Sequence, residues 1–173
     1  ETARALPFAL ASARPLEGRL SHPGLADYRA TGTMRGGADG RPELDLKVLS
    51  ELEAKGDLHG VATAWLAAGD FERAERILER LPSSPAVMGD LALAALGRAQ
   101  PERALTLVER GLETAPDDAR LHWNRGLALQ ALSLELAAAA EFSRVAQAKE
   151  PGWSTEATER ADGLRKGALA RRD

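Results

Sequence analysis

The chain contains no cysteine. Disulfides, thiolate nucleophiles and cysteine-ligated zinc are thereby excluded, although the absence does not choose between cytoplasm and periplasm. Aromatic residues make up only 4% of the 173 positions, and there is a single isoleucine. With few aromatic and β-branched side chains, the core must be built from alanine and leucine, which are strong helix formers and poor strand formers. Basic charge is not in excess, since the formal net charge is −3. A concentrated basic surface of the kind that binds nucleic acid is therefore not expected. No apolar run reaches the roughly 18 residues of a membrane span, and LPFALASA (6–13) is short and bounded by Pro7 and Arg14, so this segment is expected not to insert into a membrane. The chain opens at Glu1 rather than methionine, which reads as a processed or truncated chain whose upstream signal or anchor would be invisible. Arginine outnumbers lysine 19 to 4, which reads as a GC-rich bacterial source.

What the chain does have is a change of texture at Pro42. Residues 1–42 hold four of the nine prolines (Pro7, Pro15, Pro23, Pro42) and end in GTMRGGADGRP, with no 3.6-residue period. They are expected to form an extended, mostly irregular arm that could dock on the remainder. Residues 43–173 carry helical periodicity throughout, with apolar stripes such as Leu44, Val48, Leu49 and Leu52. Stop-and-start pairs at Gly56-Asp57 and Gly69-Asp70, with Asp57 a cap for the second helix and Ser154 a cap for the last, divide this region. The predicted helices run over about 43–55, 57–68, 71–81, 86–97, 101–114, 119–132, 135–149 and 154–169. Short connections make them antiparallel neighbours.

Two of these segments nearly copy each other. GDFERAERILER (69–80) and AQPERALTLVER (99–110) align, and SLELAAAAEFSR (133–144) is a third copy, registered through Ala74, Ala104 and Ala138. The spacings are 30 and 34 residues. A 34-residue helix-turn-helix period resembles the tetratricopeptide repeat (TPR) family. Residues 119–151 carry the resemblance best: Trp123 to Leu129 is similar to the first-helix motif, with Gly126 and Ala138 at small positions, Phe142 at the large one and Pro151 near the terminal proline. Ala92, Ala104 and Pro116 match in the preceding unit, and Ala62, Trp65, Gly69, Ala74 and Leu78 in the first. The expected fold is an all-α TPR-like solenoid of about three repeats with a leading helix (43–55) and a capping helix (154–169). Two departures stand out. The 30-residue spacing is short by about one helical turn, which should shorten the helix ending at Leu81 and alter the local curvature. The usual glycine is also missing at Leu132-Ser133-Leu134.

The resemblance implies that the first helix of each pair lines a concave face. It assigns to that face His59, Thr63 and Leu66, then Gly89, Leu93 and Leu96, then Arg120, Trp123, Leu127 and Gln130. The face is apolar, and Leu93, Leu96, Trp123 and Leu127 could form one patch that meets a partner or could be ordinary core. The family's carboxylate clamp needs several Lys, Arg and Asn residues here. Only Asn124 and Arg120 remain, which speaks against a chaperone adaptor. The leading expectation is a non-catalytic scaffold that binds a protein or peptide in this groove. As a variant, the arm itself lies there through Leu6, Phe8, Leu10, Leu16, Leu20 and Tyr28. ARPLEGRLSHP before the repeats and EPGW…EATERADGLR after them are similar to segments preceding the peptidase domain of bacterial CHAT-type proteins. That resemblance implies a regulatory module of such a protease or of a membrane-anchored signalling protein, with the catalytic region of a parent protein as partner. A third alternative is a structural homo-oligomer with stacked terminal helices.

No constellation carries chemistry or calls for a cofactor. His22, His59 and His122 are scattered without metal-ligand spacing. The glycine-rich stretch 32–40 lacks the Lys-Ser/Thr of a phosphate-binding loop and reads as a linker. Ser12, Ser21, Ser50, Ser83 and Ser84 lack a nucleophile-elbow motif. Arg165, Lys166, Arg171 and Arg172 form a basic tail that suits a helix C-terminus.

Overall fold

The computed structural model describes residues 15–22 and 46–171. The expected arm is thus described only at 15–22; its other parts, including Leu6, Phe8, Leu10 and Tyr28, lie outside the described residues, as do 43–45 at the start of the leading helix. Among the described residues there are eight α-helices and no strand: α1 Leu46–Ala54, α2 Leu58–Ala68, α3 Phe71–Leu78, α4 Pro85–Gly97, α5 Pro101–Thr114, α6 Ala119–Ala131, α7 Glu135–Gln147 and α8 Trp153–Ala170. Each helix packs on its chain neighbours, and α2, α4 and α6 also touch in succession. This is a solenoid of three antiparallel pairs (α2/α3, α4/α5, α6/α7) between a leading and a capping helix, the all-α TPR-like architecture expected.

Four of the helices start at a capping side chain. Asp57, Ser84 and Asp118 accept hydrogen bonds from backbone N–H groups in the first turns of α2, α4 and α6. Each thereby satisfies donors that have no partner inside the helix. Asp70 does the same for α3. One expected cap is corrected. Helix α8 begins at Trp153 with Gly152 at the cap position and no capping side chain, and Ser154 sits within the first turn, its N–H donating to the Glu150 carbonyl.

Within each pair the turn is the same object. Gly69, Ala99 and Ser133 all take a left-handed φ, at 80°, 56° and 60°. In each case the next N–H reaches back five residues: Asp70 to Trp65, Gln100 to Ala95 and Leu134 to Leu129. That is the Schellman closure of a helix C-terminus. The missing glycine at Ser133 therefore changes no geometry, although a side chain at positive φ carries strain of about 1 kcal/mol. Replacing Ser133 or Ala99 with glycine is expected to raise thermal stability slightly, by up to about 0.5–1 kcal/mol each, as measured by calorimetry.

Pair packing follows the small positions. Ala62, Ala74, Ala92, Ala104, Ala128 and Ala138 are all fully buried, which lets helix axes approach closely. Gly126 goes further, because a Cβ there would stand 2.9 Å from the Phe142 ring. Gly126→Val is expected to overpack the α6–α7 contact and cost about 1–3 kcal/mol in chemical denaturation.

The one-turn deficit appears in α3. The helix ends at Leu78, not at the expected Leu81, and the chain leaves through tightened turns in which Arg80 and Leu81 donate to Ile77 and Leu78. Pro82 explains the early stop, since proline disfavours helical backbone at the residue before it. A hollow of about 590 Å³, lined by Leu78, Leu81, Val87, Leu91, Arg103 and Leu107, opens beside the shortened end.

Candidate functional site

Residues 16–22 lie across the helices α2, α4 and α6. The segment enters through a left-handed turn, with Leu16 at φ 53° and Glu17 at φ 61°. The Trp123 indole Nε1 donates to the Glu17 carbonyl at 2.8 Å, and the Arg160 guanidinium pairs with the Glu17 carboxylate. Gly18 follows, packed so close to α4 that a Cβ there would meet Leu93 Cδ2 at 2.2 Å.

Arg19 is held at both its backbone N–H and its backbone carbonyl. Its backbone N–H donates to Asn124 Oδ1 at 2.9 Å, and Asn124 Nδ2 donates to the Arg19 carbonyl at 3.0 Å. An amide side chain matches the donor and acceptor of an extended main chain in this way, and it does so without regard to side-chain identity. Nδ2 also reaches the Gly89 carbonyl at 3.4 Å, which ties Asn124 to α4. The Arg19 guanidinium lies 4.2 Å from the Trp153 ring centroid and pairs with Glu150. Burial lowers its pKa, opposed chiefly by the Glu150 charge, and the high ordinary value of arginine keeps it cationic.

Leu20 is 3% exposed and joins the common hydrophobic core, whereas Leu16 is 47% exposed. The expectation that Leu16 would face the groove is thus corrected: the left-handed turn directs it outward.

Ser21 meets Asp90, whose carboxylate is fully buried within α4. The Ser21 N–H donates to Oδ1 at 3.0 Å and its hydroxyl donates to Oδ2 at 2.6 Å. His59 Nε2 stands 2.8 Å from the same Oδ2 and 3.0 Å from Ser21 Oγ. A buried carboxylate requires such partners. The three residues do not form a nucleophilic relay, which would place serine and carboxylate on opposite ring nitrogens. Here both crowd one nitrogen, and the serine proton points at the carboxylate. Finally Arg120 Nη1 donates to the Ser21 carbonyl at 3.3 Å while its remaining nitrogens hold Asp118.

The electrostatics follow from these contacts. The hydrogen bond to Asp90 raises the His59 pKa above its ordinary 6.5, against the opposing effect of burial, with the charges of Asp90 and Asp57 assisting and that of Arg120 opposing. His22 faces the same cluster, its ring 6.2 Å from that of His59 and its Nε2 3.4 Å from Asp57. Burial tends to raise the Asp118 pKa, but the hydrogen bond and charge of Arg120 outweigh it and the net shift is downward. Because the His59 pKa is raised, its contribution to stability is complete below about pH 6.5 and is lost as pH rises through the raised value. The melting temperature of the wild type is therefore expected to fall across that window relative to His59→Gln, in paired thermal melts at successive pH values.

Of the residues assigned to the concave face by sequence, His59, Leu93, Arg120 and Trp123 meet the segment directly. Gly89 meets it through Asn124. Leu66 is fully buried, Leu127 is buried, and Leu96 packs partly buried on the core. Thr63 is buried and its hydroxyl donates to the His59 carbonyl of its own helix. Gln130 is exposed. Sequence reasoning missed Asp90, Glu150, Trp153 and Arg160. Asp90 had a signal, because it is the only charged side chain in the apolar helix PAVMGDLALAALG. The contacts that hold the segment are mainly polar, whereas Leu93 and Trp123 beside it are apolar and fully buried.

Among the described residues, no group of three His, Cys, Asp or Glu side chains is placed to hold a metal ion, and no helix is long and apolar enough to cross a membrane. Residues 66–132 match the family model described as Tetratricopeptide repeat. That stretch runs from the end of α2 through α6 and contains Asp90, Leu93, Arg120, Trp123 and Asn124. It does not include the flanking segments on which the peptidase resemblance rests. No curated protein matches the chain.

Proposed function

We propose that this chain is a non-catalytic protein-interaction scaffold whose concave face holds an extended polypeptide by its main chain. Residues 16–22 are its resident occupant, to be displaced by a partner segment. The observation that carries this reading is the paired hydrogen bonding of Asn124 to the N–H and carbonyl of Arg19. Tetratricopeptide repeats generally mediate protein–protein contacts, which agrees with the match over 66–132. The Asp90, His59 and Arg120 contacts to Ser21 extend the same hold along the groove.

The test compares capture from lysate by three full-length chains. Arg19→Glu/Leu20→Asp, which loosens the resident segment, is expected to capture a partner at least tenfold better than wild type. Adding Asn124→Ala to that variant should abolish the gain. Equal capture by all three would contradict the reading.

A second reading has its own observation. Leu134, Leu136 and Leu169 are 49%, 54% and 58% exposed near the α7–α8 end of the solenoid. Apolar surface there would suit stacking of one copy on another. Light scattering at high concentration, repeated with Leu136→Glu, decides it: assembly that the substitution abolishes supports stacking, and a monomer in both removes it.

A further inference from the structure

The resident segment does more than fill the groove; its side chains show what the groove selects. Resting on the proposed groove reading, we propose that the partner segment carries the order glycine, arginine, leucine, serine, the same order as Gly18-Arg19-Leu20-Ser21.

Each position is read by a different physical device. At the first, Leu93 stands where a Cβ would be, so only glycine passes without moving a buried leucine. At the second, the Trp153 ring and the Glu150 carboxylate take a planar cation, one by cation–π contact and the other by charge. Lysine would keep the charge but lose the planar stacking. At the third, the 3% exposure of Leu20 marks an apolar position in which a polar side chain would be buried without partners. At the fourth, the buried Asp90 carboxylate accepts from the Ser21 N–H and hydroxyl together, with His59 completing its shell. Alanine there would leave Oδ2 short of a donor in a fully buried position. These four requirements are independent of the Asn124 clamp, which grips the main chain whatever the side chains are.

The probe is the labelled peptide acetyl-Pro-Leu-Glu-Gly-Arg-Leu-Ser-His-amide, titrated by fluorescence anisotropy into the full-length Arg19→Glu/Leu20→Asp chain. Helix content, checked by circular dichroism, should match wild type. The peptide is expected to bind saturably, and at least tenfold more weakly to wild type, whose own segment competes. Peptides with alanine for the glycine, glutamate for the arginine, or alanine for the serine should each bind at least tenfold more weakly than the parent. If these three and a scrambled peptide bind as tightly as the parent, the selectivity is wrong while the groove reading stands. If no peptide binds and both chains behave alike, the groove reading falls with it.

Discussion

Asn124→Ala is expected to release residues 16–22 from the groove while the helices remain folded. Asn124 is buried in α6, and its amide makes hydrogen bonds with both the backbone N–H and the carbonyl of Arg19. Removing it leaves a buried N–H and a buried carbonyl without partners, each costing about 1–3 kcal/mol. The docked state should then lose roughly 2–3 kcal/mol, or about 30- to 150-fold in its equilibrium with the undocked state. Trypsin offers a direct reading, because Arg19 is 5% exposed when docked and is a cleavage site when released. When opening is fast relative to cutting, the cleavage rate tracks the population of the open state. Cleavage after Arg19, followed by mass spectrometry, should therefore accelerate by about the same factor. Cleavage within α4 to α7 should change far less. An unchanged rate after Arg19 would show that the Asn124 contacts do not hold the segment.

Trp123→Ala is expected to damage the whole C-terminal half of the solenoid. The side chain is fully buried, with its ring centroid 5.1 Å from that of Phe142 and 4.8 Å from that of Trp153, both edge-on. Arg160 lies over the Trp123 and Phe142 rings. One residue thus joins α6, α7 and α8 while its N–H reaches the Glu17 carbonyl on the groove side. Truncation of a buried tryptophan costs about 3–5 kcal/mol through lost burial and the cavity left behind. Urea denaturation should show a loss of that size. Asn124→Ala should show a smaller loss, with most of its effect confined to the segment. The two substitutions therefore separate the core from the groove, although they are adjacent in sequence.

That adjacency shows what the sequence made legible. The repeat could be read because Ala74, Ala104 and Ala138 recur with the same neighbours and the same face must be buried in every pair. The four-residue deficit predicted a shorter α3, but not its end at Leu78, because Glu79-Arg80-Leu81 has good helix propensity and only the influence of Pro82 on its predecessor overrides it. Trp123 and Leu93 were found from the repeat register. Whether they were core or groove was undecidable from spacing; both side chains are fully buried, with Glu17 and Gly18 lying against them. Asp90 sits one residue beside the expected Gly89, and its role needed the position of Ser21, a residue 69 positions away in sequence. Glu150, Trp153 and Arg160 act from the α7–α8 junction and the capping helix, which no face assignment within the repeats could have included. Leu16 was misdirected because two successive left-handed residues are not encoded by any glycine.

The most direct test of the central claim is amide hydrogen exchange of Arg19 and Ser21 in the full chain, measured by NMR. Both N–H groups end on buried side chains of the groove, Asn124 and Asp90. Protection at least a hundredfold above the unfolded rate, lost in Asn124→Ala while the amides of α4 and α6 keep theirs, is the result the account predicts. Exchange of both amides at the unfolded rate in the wild type, with the helices fully protected, would contradict it.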